Sequence, residues 1–259
     1  MREENKNGQS PERKQVLNSL RNAKETYVFM SLCTKMPYVL CDEETFDDEV
    51  LLYYTEEDAQ REGKKLIEQR IPIQIAKVEN GQLLGFFSSL YPMGINGILI
   101  NKNMEDEARL QLEELVVRPN TEELPDGKIW VENPQLHLTA LYFMQEMRRQ
   151  ENPELTEELK ELQEEILVNY GRGRFIVAIH KENGMPMLKQ KNGDTYQPIF
   201  TDILEFRKFN KENQFKTMAI EAKNVPKMLM KETKGVVINP YGVNLQIPIV
   251  RPQEPQEKK

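Results

Sequence analysis

The sequence predicts an α/β protein made of two tandem related domains, each a mixed sheet flanked by helices, with the two joined by helices at about residues 135–169. Three observations predict it. One half-domain pattern occurs twice, in residues 27–119 and 175–252. Short apolar runs alternate with amphipathic segments, the pattern of an α/β chain. Helix-start signals stand where strands end. In the repeat, Met36-Pro37 pairs with Met185-Pro186, Tyr54-Thr55 with Phe200-Thr201, and a strand running into Asn80 with one running into Asn224. Gly97-Ile98-Leu99-Ile100-Asn101 pairs with Gly235-Val236-Val237-Ile238-Asn239, Leu110-Gln111-Leu112 with Leu245-Gln246-Ile247, and Val117-Arg118-Pro119 with Val250-Arg251-Pro252. Each match is weak alone; the shared order makes chance a poor explanation.

In chain order, residues 1–11 read as a disordered tail, being polar and without an apolar face. A helix at 12–23 places Val16, Leu17, Leu20 and Ala23 on one side. Two apolar runs, 27–33 and 37–41, read as a hairpin, and 42–49 as an acidic loop. A strand at 50–54 ends at Thr55, which caps a polar surface helix at 56–69 with Asp58 in the capping-box position. Strand 71–78 follows, then a helix from Asn80, its cap, to Leu90, and strands at 94–100 and 109–117. This first domain spans 12–119, and residues 120–133 form a linker. Helices at 135–150 and 154–169 open the second domain, 134–252; Leu155, Leu159, Leu162 and Ile166 recur at helical spacing. Strands at 174–179, 185–189 and 195–200, a helix at 203–210 capped by Asp202 with Glu205 as reciprocal partner, a strand at 215–222, a helix at 225–231, and strands at 235–239 and 244–250 repeat the first copy. Pro248 marks the last strand as an edge. Residues 253–259 read as a second tail.

Composition narrows the function. The 259 residues are 39% hydrophobic and 30% charged, with a net charge of -7, enough to bury a core without disulfides or metals. A negative chain without a concentrated basic face argues against nucleic acid as a partner. No apolar run has the length of a membrane span, no signal core stands at the N-terminus, and two cysteines are too few for a secreted disulfide framework. A cytoplasmic protein is the expectation.

Phe200-Thr201-Asp202 with Glu205, Gly235-Val236-Val237-Ile238-Asn239-Pro240, Asn133-Pro134-Gln135-Leu136 and Gln145-Glu146-Met147-Arg148-Arg149 together resemble the SseB N-terminal domain of bacterial enhanced serine sensitivity proteins. The match runs over about residues 133–250. The first copy is a more divergent version: it keeps Thr55 and the strand into Asn101 but lacks Asp after Thr and Pro after Asn. The resemblance implies a small α/β fold and a bacterial cytosolic protein, and no particular reaction.

Few residues carry candidate chemistry. Cys33 and Cys41 have neither a C-x-x-C spacing nor a neighbouring His, so they read as buried structural thiols. His137 and His180 lack the companions of a zinc site and read as structural or exposed. Gly171-Arg172-Gly173-Arg174 lacks the phosphate-loop pattern and precedes a strand, so it reads as a helix C-cap. The residues left for a ligand site are Thr55, Thr201, Asp202, Glu205 and Asn239, at strand-to-helix and strand-to-turn junctions where α/β folds bind ligands. Capping accounts equally for Asp202 and Glu205, and turn bonding for Asn239. No catalytic residue, metal or cofactor is assigned. The leading expectation is a non-enzymatic module that binds a protein partner; the rival is a small-ligand sensor or enzyme with its site on the second copy or at the junction.

Overall fold

The computed structural model describes residues 10–118, 124, 129–180, 182–190 and 192–250. The expectations for residues 1–9, for most of the linker and for residues 251–259 lie outside these. By its contacts the chain divides into two compact units. The first comprises Met1–Met30, Pro37–Ser88 and Asn96–Arg118; the second comprises Ser31–Met36, Ser89–Ile95 and Pro119–Lys259.

In the first unit the helix α1 (Pro11–Asn22) starts where the Ser10 hydroxyl accepts from the Arg13 N–H, with Pro11 at the position that lacks a helical donor role anyway. Then come β1 (Glu25–Ser31), β2 (Val39–Cys41), β3 (Asp48–Tyr53), α2 (Glu56–Glu68), β4 (Ile73–Glu79), α3 (Asn80–Leu90), β5 (Gly97–Ile100) and β6 (Ala108–Gln111). The sheet order is β4-β1-β3-β5-β6, with β2 on β3. β3 and β5 are parallel; β1 and β6 run antiparallel to their neighbours β3 and β5. All four residues of β5 and five of the six in β3 are buried, as expected for central strands covered on both faces. Tyr27, Phe29, Leu51, Tyr53, Ala59, Ile73 and Leu99 form one core, under α2.

The second unit holds α4 (Pro134–Arg149), α5 (Glu157–Arg172), β7 (Arg174–His180), β8 (Leu188–Lys189), β9 (Thr195–Phe200), α6 (Ile203–Phe209), β10 (Phe215–Glu221), α7 (Val225–Met228), β11 (Gly235–Ile238) and β12 (Leu245–Pro248). Its sheet order, β10-β7-β9-β11-β12 with β8 on β9, repeats that of the first. β7 is antiparallel to both β10 and β9, and β11 is parallel to β9. β9 and β10 therefore run the same way, and α6 is a crossover that skips β7. Pro248 pairs with Gly235 on the edge strand, where a missing donor is tolerated. Val131, Ile176, Ala178, Phe200 and Phe206 form the core beneath α6.

Register refines the repeat. Tyr53 pairs with Tyr27 and Leu52 with Ile100; Phe200 pairs with Ile176 and Ile199 with Ile238. Tyr53 is thus the counterpart of Phe200, Tyr54 of Thr201, and Thr55 of Asp202. Pairing Tyr54-Thr55 with Phe200-Thr201 was one residue out, because two similar aromatics precede Thr55 and letters alone choose the nearer.

Other departures have local causes. Asn80 does not cap α3: it is the first helical residue, and its side-chain amide donates to the Arg21 and Ala23 carbonyls at the end of α1, at 2.9 and 2.6 Å. β6 stops at Gln111 instead of continuing to residue 117, because a capping box between Gln111 and Glu114 turns the chain into a single tight turn, and Arg13 holds Glu114 at 2.8 Å. α7 is one turn, ending three residues early. Cys41 is exposed and Cys33 half-buried, so neither is the buried thiol expected. Desolvation raises both thiols; acidic neighbours push Cys41 the same way, which leaves both poor nucleophiles. Gly173 does end α5, but with φ -74° it needs no left-handed conformation. It is glycine because a Cβ would lie 2.7 Å from the Phe175 ring and 2.8 Å from Asn133 Oδ1.

Candidate functional site

Four of the five candidate residues come together in the second unit. Asp202 leaves β9 in extended conformation and caps α6, its Oδ1 accepting from the Leu204 and Glu205 N–H groups at 2.8 and 3.0 Å. Its other oxygen accepts the Thr201 hydroxyl proton at 2.7 Å. The Thr201 oxygen accepts from Asn239 Nδ2 at 2.8 Å, and Asn239 Oδ1 accepts from the Thr201 N–H at 3.0 Å. Asn239 ends β11 at φ 47°, the left-handed region that Asn tolerates better than other side chains. Thr201 and Asn239 are fully buried and Asp202 is 2% exposed.

His137, on the first turn of α4, completes the cluster. Its Nδ1 lies 3.3 Å from Thr201 Oγ1 and 3.5 Å from Asp202 Oδ2. The threonine hydroxyl proton already points at Asp202, so the ring must donate from Nδ1. Nε2 on the far side faces Glu205 Oε1 at 3.9 Å and makes no hydrogen bond. Glu205 does not turn back to close a capping box with Asp202. Its Oε1 accepts from Lys208 Nζ at 2.5 Å, while Oε2 is buried without a partner. Gly242 passes so close that a Cβ there would lie 2.9 Å from Oε2. Burial works to raise the Asp202 carboxyl; the His137 hydrogen bond and charge, the Thr201 hydroxyl and the Glu205 N–H outweigh it and hold it below the usual carboxylate range.

Thr55 belongs to the first unit and does different work. It is exposed, caps α2 by accepting from the Asp58 N–H at 3.1 Å, and donates its hydroxyl proton to Asp58 Oδ2 at 2.6 Å. Asn101, the counterpart of Asn239 at φ 48°, accepts from the Tyr54 N–H at 3.2 Å and donates to Asp106. No histidine stands over this junction among the contacts of Thr55 or Asn101.

Within the cluster Thr201, Asp202 and Asn239 are bonded to one another or to the α6 backbone, while His137 Nε2 and Glu205 Oε2 are buried without a partner. The neighbouring cleft, about 430 Å³, is lined by Lys208, Phe209, Asn210, Lys211, Phe215 and Tyr241 among others, and by none of Thr201, Asp202 and Asn239. No group of three or more His, Cys, Asp or Glu among the described residues is arranged to hold a metal ion. Sequence reasoning set His137 aside for want of metal-ligand companions. The available signal was a histidine on the same helical face as Leu136, Ala140 and Leu141, all buried, since a polar side chain there needs a partner. Lys208, three residues beyond Glu205, was legible as an ion-pair partner and was not singled out.

No family model matches the chain, and no curated protein does. Two solved structures are similar to it: Tic22 from Plasmodium falciparum, at 14% identity over 85% of this chain and 90% of that one, and Anabaena Tic22 (protein transport), at 10% over 88% and 93%. The TM-score is 0.22 for both. No helix among the described residues is long and apolar enough to cross a membrane.

Proposed function

We propose that this chain is a non-enzymatic interaction module, SseB-like and cytoplasmic, that docks an apolar segment of a protein partner on its first unit. The carrying observation is a groove of about 270 Å³ between α1 and α3, lined by Leu20, Leu83, Leu84, Phe87 and Leu115, with Arg21 and Asn80 at its rim. Leu84 is 65% exposed there. Leu84 extends the apolar surface of the groove into water, where a partner would bury it, and a groove between helices suits the apolar face of a third helix. Arg21 is exposed and makes no ion pair among the described residues, so the fitting helix carries an acidic side chain beside its apolar face. The Thr201, Asp202 and Asn239 cluster supports the same reading from the other side, because its donors and acceptors are used on one another.

The test is quantitative affinity capture from the native host with the full chain as bait, in wild type, Leu84→Asp and Arg21→Glu forms. A stoichiometric protein partner lost with Leu84→Asp and weakened with Arg21→Glu, at unchanged melting temperature, is the expected result. A partner retained by both variants contradicts the groove. A metabolite that shifts the melting temperature of wild type but not of Asp202→Asn would favour the rival reading, a small-ligand site on the second copy.

A further inference from the structure

In each unit the central parallel strands end at the same kind of place. β3 leads through α2 to β4 on one side of the sheet, and β5 leads to β6 on the other. β9 and β11 part in the same way. Where chains leave the carboxyl ends of adjacent parallel strands in opposite directions, a crevice opens that α/β folds use for ligands. In the first unit a cleft of about 220 Å³ lies there, lined by Tyr53, the last residue of β3, and by Lys102 and Asn103, just past β5.

The cleft of the first unit reaches the core. Phe29, Leu51 and Tyr53, each no more than 3% exposed, form its floor, and Leu40 and Leu66 its walls. Glu62 and Lys102 stand at the rim. The Glu62 charge is already answered: both its oxygens lie 2.9 Å from Lys65 Nζ, and Asn103 Nδ2 donates to it at 2.9 Å. Lys102 is different. It is half-buried, and among the described residues it has neither an ion pair nor a hydrogen-bond partner. A lysine that lines the cleft and carries no partner among the described residues leaves its ammonium open to an anion bound there.

We propose that this cleft binds a small carboxylate with an aromatic or aliphatic body, the body on Phe29, Leu51 and Tyr53 and the carboxylate on Lys102. The volume falls below the roughly 300–1,000 Å³ of pockets for drug-sized ligands, which limits the occupant to about one ring. The site is separate from the α1–α3 groove and stands or falls without it.

The experiment is calorimetric titration of the full chain with phenylacetate, phenethyl alcohol and inorganic phosphate at low ionic strength. Phenylacetate should bind saturably and about tenfold more tightly than the alcohol, the worth of a charge-assisted hydrogen bond, and phosphate should not compete. Lys102→Gln should remove the difference between acid and alcohol, and Lys102→Arg should retain it. Leu66→Trp, which fills the cleft, should weaken both ligands at an unchanged melting temperature. Equal binding of acid and alcohol, competition by phosphate, phenylacetate binding unaffected by Lys102→Gln, or no saturable binding overturns the proposal.

Discussion

The two units place the same strands in the same order, yet they close the junction between central strand and helix by different means. In the first, an exposed Thr55 caps α2 and Asn101 ties the adjacent turn. In the second, a buried Asp202 caps α6 and is fastened to Thr201 and His137, and Asn239 is fastened to Thr201. The left-handed asparagine recurs because the backbone leaving the parallel strand demands it. The charge does not recur, because nothing in the backbone demands it. The shared features of the duplication are therefore those of geometry, and the differences report what each copy buries.

The largest effect should come from removing the buried charge. Asp202→Ala takes away two cap bonds and the bonds from the Thr201 hydroxyl and His137, and losing a cap together with hydrogen bonds to a buried carboxylate costs about 3–5 kcal/mol. Thr55→Ala should cost only about 1 kcal/mol, the usual loss of an exposed cap. Denaturant titration of the two full-length variants measures both; equal losses would erase the distinction between the junctions.

Next come the asparagines. Asn239→Ala loses the left-handed preference and both bonds to Thr201, and should cost about 2–3 kcal/mol; Asn101→Ala should cost about 1–2. Asn→Gly variants separate the two causes. Gly relieves the backbone in both, so each Gly variant keeps only the loss of the asparagine's hydrogen bonds, and fully buried Asn239→Gly should stay more destabilised than Asn101→Gly in the same titration.

Acid should act on the units with opposite sign. Asp202 is held below its unfolded value, so its contribution is present above the unfolded carboxylate pKa and is lost as pH falls through the folded one. Glu49 on β3 is 1% exposed, with one oxygen unpartnered and the other 3.3 Å from Arg109 Nε. Burial raises its carboxyl despite Arg109. Its charged form therefore weighs against folding above the raised folded pKa, and that penalty fades as pH falls below it. Stability measured across the acid range should show Asp202→Asn flattening the acid loss and Glu49→Gln steepening the net decline. Residue-resolved hydrogen exchange should place the first change in β9, α6 and β11 and the second in β3 and β5. Both changes in one unit would contradict the assignment.

Much of the fold was legible because strands, glycines and caps are local signals. Thr55 and Asp202 both cap the helices expected of them, and the doubled strand pattern emerged as the doubled sheet order. What was not legible required partners distant in sequence. His137 meets Thr201 across 64 positions, and Arg13 reaches Glu114 across 101, separations that no periodicity reports. The one-residue slip between Thr55 and Thr201 had the same origin: only hydrogen-bond register fixes which of two adjacent aromatics pairs with Tyr27. The sequence pointed to the second copy for a specific site because its polar residues are richer, but Thr201, Asp202 and Asn239 bond to one another and line none of its neighbouring cleft. Lys102, without a partner among the described residues, sits in the plainer copy, and an absent partner leaves no mark in a sequence.

The smallest effect on stability should accompany the largest effect on function. Leu84→Asp alters a side chain that is mostly in water and should change stability by no more than about 0.5 kcal/mol. Capture from the native host with this variant beside wild type is the most direct measurement of the proposed role. Loss of a stoichiometric partner at an unchanged melting temperature is the predicted result; the same partner recovered in the same amount by both baits would contradict it.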